Sequence, residues 1–269
     1  MLMKRVWGHI LAGVTLVAGG IVTIAACKHD DSTLFVQDVL DAPTVTPGEV
    51  CTFSNDPTQP FISSGVLDIA LRQEYSPTYL LGNQAVAEVN SQQLQTETDI
   101  VTVQGAVVRI TDTAGNQLNT FTQLATATVY PSSGSVPGYA PITVTVVDSA
   151  TIADDLFLQT NVAAGGTTRL VTYVTFFGQT TGGDSIQSDE FEFPLDVCEG
   201  CLIAFSAADD NPIGPQPNCA TAAASATTSS LPSPCVVGQD SVIDCSQCLG
   251  YTACHGKVAP GTTLDAGGD

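Results

Sequence analysis

Cysteine is the residue type through which this sequence offers the most chemistry. Nine are present, and four of them form two CxxC pairs, Cys198-Glu-Gly-Cys201 and Cys245-Ser-Gln-Cys248, with Cys254 and His255 close behind the second. Two such knuckles with a nearby histidine are a donor set for zinc, which takes four ligands in a tetrahedron. A CxxC pair also serves thiol redox chemistry, but that needs the first cysteine at a helix N-terminus, where the dipole lowers its pKa. Cys198 follows a strand pattern and Cys245 lies among loop-forming residues. Haem attachment needs a histidine directly after the pair, and those positions hold Leu202 and Leu249. A structural role fits best: Cys51, Cys198, Cys201, Cys219, Cys235, Cys245, Cys248 and Cys254 are an even set, and outside the cytoplasm such a set oxidises to four disulfides. Their connectivity stays open, because eight cysteines allow on the order of a hundred pairings. No metal and no cofactor is expected.

Other chemistries are poorly supplied. Histidine is limited to His9, in an N-terminal apolar run, His29 and His255. A Ser-His-Asp arrangement would have to use His255, and no G-x-S-x-G elbow accompanies it. Paired carboxylates for glycoside hydrolysis are uninformative here, since 27 Asp and Glu guarantee close pairs. Asp30-Asp31, Asp154-Asp155 and Asp209-Asp210-Asn211 offer oxygen ligands without the D-x-D-x-D-G spacing of a calcium loop; they read as solvated acidic surface. The chain is therefore not expected to be an enzyme. With 7 Lys and Arg and a formal net charge of −20, it lacks the clustered cations that neutralise phosphates, which excludes nucleic acid as a partner. The one tryptophan, Trp7, lies in the N-terminal run, so the remainder lacks the flat indole platform that sugar sites commonly use, which weakens a carbohydrate-binding reading and leaves tyrosine as the alternative platform.

The N-terminus bears on the compartment. Lys4 and Arg5 precede the apolar stretch VWGHILAGVTLVAGGIVTIAA, which contains no acidic residue, the layout of an export signal. A run of roughly 20 apolar residues is also long enough to span a bilayer, but Gly8, His9, Gly13, Gly19 and Gly20 interrupt this one. It ends in Ile24-Ala25-Ala26-Cys27, which resembles the lipobox of bacterial lipoproteins. The resemblance covers residues 1–27 and implies cleavage before Cys27 by signal peptidase II, with diacylglycerol on the thiol and acylation of the freed amine. Two or three acyl chains hold far more firmly than one, so the implied partner is a membrane, reached through lipid, and the implied location is the cell envelope. Position 28 is Lys rather than the Asp that retains enteric lipoproteins at the inner membrane, which points to the outer membrane in a host that sorts the same way. Cleavage would remove Lys4 and Arg5 and leave five cations: Lys28, Arg72, Arg109, Arg169 and Lys257.

The elements that must position these groups read as β structure. In the segment 142–146, Ile142, Val144 and Val146 alternate with threonines, and Phe191, Phe193, Leu195 and Val197 alternate with polar residues. Side chains two apart share a face, so each set buries one row and exposes the other. Further strands are expected at 66–71, 84–89, 100–103, 106–111, 124–130 and 169–177. Turns at Asp112–Asn116 and Thr180–Asp184 carry the glycines that hairpins favour. No long helical period interrupts this pattern, so the expected fold is all-β, an antiparallel immunoglobulin-like β-sandwich of two packed sheets. The segment VAAGGTTRLVTYVTFF is similar to late hairpins of immunoglobulin-like and fibronectin-type-III-like bacterial domains. The stretch from Cys51 to Cys201, ending FEFPLDVCEGCL, resembles uncharacterised secreted lipoproteins of the myxobacterial type, a likeness that implies no activity.

The expected organisation is a signal peptide at 1–26, a lipid-anchored tether at 27–47 from which Leu34, Phe35, Val36, Val39 and Leu40 could dock, a β-sandwich at 48–200, and a small cysteine-rich, loop-dominated appendage at 201–269. Within the appendage, ATAAASATTSSLPSP has the composition of a flexible linker, and the last twelve residues that of a disordered end. The expected function is that of a structural or protein-interaction module of the envelope. The competing class is an envelope enzyme or zinc protein using carboxylates or the C-terminal Cys/His cluster.

Overall fold

The structure, a computed structural model, describes residues 32–46, 49–87, 97–154, 162, 166–205, 219 and 232–255. The expected signal peptide, Cys27, His29, the acidic groups Asp30-Asp31 and Asp209-Asp210-Asn211, most of the alanine- and serine-rich linker and the C-terminal end lie outside the described residues.

Fourteen strands are described: β1 (Leu34–Leu40), β2 (Thr44–Val45), β3 (Phe61–Ile62), β4 (Gly65–Asp68), β5 (Thr78–Asn83), β6 (Val101–Asp112), β7 (Gln117–Val129), β8 (Gly138–Thr143), β9 (Thr168–Thr180), β10 (Ser185–Gln187), β11 (Phe191–Cys198), β12 (Ile203–Ala204), β13 (Ser233–Pro234) and β14 (Ile243–Asp244). A short helix, α1, spans Ser149–Asp154. The fold is all-β.

One sheet runs β3-β1-β5-β8 and the other β4-β11-β9-β6-β7, with β10 paired to β9. Both contribute to one core, in which Leu34, Val39, Tyr79 and Leu81 from the first sheet meet Val103, Val108, Ile110, Leu170, Phe176 and Phe193 from the second. The Tyr79 ring meets Phe176 and Phe191 edge-on, at 5.3 and 5.9 Å between centroids. Such contacts add to the burial that drives the two sheets together.

The alternating segments behave as their period demands. Along β11, Phe193, Leu195 and Val197 are buried while Glu192 is exposed. The expected strands at 100–103 and 106–111 are one strand, β6. Gln104 is absorbed as an extra residue where the β6–β9 register shifts between Val103 and Gly105. The two glycine turns close the β6–β7 and β9–β10 hairpins, with Gly115 and Gly183 at φ +86° and +95°, a region that side chains disfavour.

Four expectations are corrected. Residues 34–40, expected within a tether, form β1, paired to β5 from Leu34↔Asn83 to Leu40↔Thr78. The strand expected at 66–71 stops at Asp68, whose side chain accepts the Ala70 N–H at 3.0 Å while its carbonyl accepts those of Leu71 and Arg72. This is the local turn that Asp offers as an alternative to a ladder. At 84–89 only Val86 makes a β-bridge, parallel to Ser132, and 88–89 lie outside the described residues. The pairing is also not purely antiparallel: β4 runs parallel to β11, and β12 parallel to β14.

Among the described residues after Cys201, regular structure is short. The two-residue strands β12 and β14 pair with each other, and β13 pairs with β2. Two 3-10 turns cover Cys245–Gln247 and Thr252–His255. A second core of Leu71, Ile203, Cys219, Ile243, Cys245, Cys248 and Cys254 fills it. In so small a core, covalent links substitute for apolar area.

Candidate functional site

Cys198 ends β11 opposite Asp68 of β4, and Cys219, Cys245, Cys248 and Cys254 pack in the second core with Leu71, just past the end of β4. Four disulfides are formed: Cys51–Cys235, Cys198–Cys201, Cys219–Cys245 and Cys248–Cys254. The first CxxC pair is bridged to itself at the end of β11. The second is divided, Cys245 to Cys219 and Cys248 to Cys254.

Asp68, at the end of β4, organises the first of these loops. Its carboxylate is fully buried and accepts N–H groups from Ala70 and Gly200 on Oδ1, at 3.0 and 2.7 Å, and from Leu202 on Oδ2, at 2.9 Å. Charge-assisted bonds of this kind are about twice as strong as neutral ones. The main chain on both sides of Cys201 is thereby fixed to β4.

A second clamp joins the C-terminal region to β4 and to the segment just before β5. The Gln239 amide, itself buried, takes the Ser76 N–H on Oε1 at 3.0 Å and donates from Nε2 to the Ser76 carbonyl at 3.1 Å. One side chain thus satisfies both backbone groups of a residue, as a neighbouring strand would. Asp240 follows with φ +60°. Its Oδ1 accepts the Val66 N–H at 2.8 Å and the Tyr75 hydroxyl at 2.9 Å, and its own N–H donates to the Val66 carbonyl at 3.0 Å. Burial pushes the Asp240 carboxyl up to about 6, against the opposing pull of its hydrogen bonds. Burial first, and then the Asp240 charge, pushes the Tyr75 hydroxyl well above its ordinary range.

Two groups place a carboxylate oxygen within 4.8 Å of a pair of cysteine sulfurs: Asp68 with Cys198 and Cys201, and Asp244 with Cys219 and Cys245. Both sulfur pairs are disulfides, and sulfurs bonded to each other carry no thiolate for a metal or for exchange. An adjacent carboxylate also disfavours a thiolate, the reverse of the electropositive setting that activates a redox cysteine. His255 donates from Nε2 to the Leu249 carbonyl at 2.7 Å, which ties the ring to its own loop. The arrangement does the work of a clasp.

Sequence reasoning singled out the cysteines and His255 but none of Asp68, Tyr75, Gln239 and Asp240. Asp68 left one signal, a lone acid inside the apolar run VLDIAL. Gln239 and Asp240 left none, because their roles depend on partners more than 160 positions away.

No family model matches this chain, and no curated protein does. Among solved structures, the crystal structure of a protein from Archaeoglobus fulgidus is similar at 10% identity over 58% of this chain and 95% of that one, with a TM-score of 0.28. So distant a likeness carries no argument about fold or function.

Proposed function

We propose that this chain is a bacterial lipoprotein of the cell envelope, held on a membrane by lipid on Cys27, which presents a disulfide-stapled immunoglobulin-like β-sandwich as a structural or protein-interaction module rather than an enzyme. One observation carries the reading. Of nine cysteines, eight are bonded to one another in four pairs, and the ninth stands directly after Ile24-Ala25-Ala26, where a lipobox places the cysteine that receives lipid. Disulfides themselves favour an oxidising compartment. The two sheets around one core support the sandwich, and the parallel β4–β11 pair is a departure from a purely antiparallel arrangement. Lys28 supports the outer membrane in a host that reads the position after the cysteine.

The test is mass spectrometry of the N-terminal peptide of protein extracted from the membrane fraction of its host. A peptide beginning at Cys27 and carrying diacylglycerol is expected. A peptide that retains residues 1–26 with an unmodified thiol would show an ordinary apolar anchor and overturn the reading.

A further inference from the structure

We infer that the end of the domain formed by Val86, Tyr130 and Val136 docks on the interfacial region of the bilayer that carries the anchor; this rests on the lipidation proposed above. Chain length limits the orientation. Ser32 is only five positions after Cys27, so the lipid-bearing residue lies within about 18 Å of it, even with the intervening chain fully extended.

The residues around Ser32 are fixed in place. Ser32 donates through its hydroxyl to the Gln187 carbonyl, and the Thr33 carbonyl accepts the Gln84 N–H at 2.9 Å. From Gln84 a continuous set of bonds leads to the exposed apolar residues. Ser132 N–H donates to the Ala85 carbonyl at 2.7 Å, Ala87 N–H to the Ser132 carbonyl at 3.2 Å, and the Ser132 hydroxyl to the Val136 carbonyl at 2.9 Å. Val86, Tyr130 and Val136 are 66%, 63% and 55% exposed, so three apolar side chains stand in solvent at the end where the anchor attaches.

The composition of this end departs from that of the chain. In a protein with 27 acidic residues, none of residues 32–37, 82–87 and 129–139 is charged. An aromatic pair, Phe35 and Tyr139, meets edge-on at 6.3 Å on the same sheet end. Tyrosine suits a membrane interface because its ring is apolar and its hydroxyl stays hydrated. Acids border this end: Asp99, whose carbonyl accepts from the Asn83 side chain, and, along the sequence, Asp30, Asp31, Asp38 and Glu88. They favour a zwitterionic surface over an anionic one.

Loss of Trp7 with the signal segment would make Tyr130→Trp a single-tryptophan reporter. The lipidated protein is reconstituted into phosphatidylcholine and phosphatidylethanolamine vesicles carrying nitroxide-labelled lipid, with Leu118→Trp as the control. Leu118 lies at the other end of β7, roughly 40 Å away at 3.3 Å per residue. The Tyr130→Trp emission is expected to shift to the blue and to lose most of its intensity to nitroxide near the headgroup, and less to nitroxide at the bilayer centre. The Leu118→Trp emission is expected to keep its intensity. Val136→Trp repeats the measurement should Tyr130→Trp disturb the loop. With lipid present on Cys27, unquenched emission overturns the docking and leaves the anchor standing. If the emission is then blue-shifted in native membranes alone, the face belongs to an envelope protein instead. Absence of lipid on Cys27 overturns the anchor, and the docking falls with it.

Discussion

Asp240 joins three demands in one side chain: a left-handed backbone that Asp and Asn tolerate better than most residues, a hydrogen bond to β4, and another to Tyr75. The cost is that the carboxylate ionises only against burial. Its pKa is near 6 in the folded state against 3.8 when unperturbed, so the folded state holds its proton more tightly than the unfolded one. The resulting stability is fully present below about pH 4 and is lost as pH rises through about 6, a loss on the order of 3 kcal/mol. Asp240→Asn keeps an oxygen to accept from Val66 and Tyr75, keeps the backbone conformation and removes the charge. Thermal melts should show this variant more stable than the parent at pH 7, by about 1–3 kcal/mol, and matching it near pH 4. A variant equally or less stable at pH 7 would contradict the account.

Among the elements, β6 and β9 form the longest ladder of the larger sheet, and their pairing depends on how one extra residue is accommodated. The register shift at Gln104 brings the two backbones close beside Gly178. A Cβ at that position would overlap the Thr102 carbonyl oxygen. Glycine within a strand often marks such an approach. Gly178→Ala is expected to lower stability by about 2 kcal/mol, since the clash is with backbone that cannot rotate away. Urea denaturation with an unchanged slope and a lower midpoint would show this; an unchanged midpoint would refute it. The same scale explains what the period-two pattern could and could not find. β11 and the segment 142–146 alternate because one face of each is buried. β5, Thr78–Asn83, is buried at every position, so its pattern has no polar row to reveal it.

For the whole molecule, the disulfides divide into local and global links. Cys248–Cys254 and Cys198–Cys201 close loops of 6 and 3 positions, whereas Cys51–Cys235 spans 184. On the chain-entropy account, the long link stabilises by about 5 kcal/mol and each short one by about 2. Replacing both Cys51 and Cys235 with Ser should therefore cost more than replacing Cys248 and Cys254, measured by urea denaturation without reductant. The reverse order would mean that the short loops, packed in the second core, hold the C-terminal region more than loop closure does. The link also joins the segments that follow β2 and β13, strands that pair with each other over only two residues.

The sequence by itself determined the all-β class, both glycine hairpins, the buried rows of β11 and 142–146, and the disulfide role of eight cysteines. These follow from residue type and short-range spacing, where pleat, turn geometry and oxidation chemistry act locally. Only the tertiary structure decided which cysteines pair, that residues 34–40 are a core strand, that β4 lies parallel to β11, and that Asp68, Gln239 and Asp240 clasp the C-terminal region to the sheet. Each of these depends on which distant segments become neighbours, and that is settled by packing one apolar face against another. The sequence records such partners only as isolated polar residues in apolar surroundings, of which Asp68 is the one visible example.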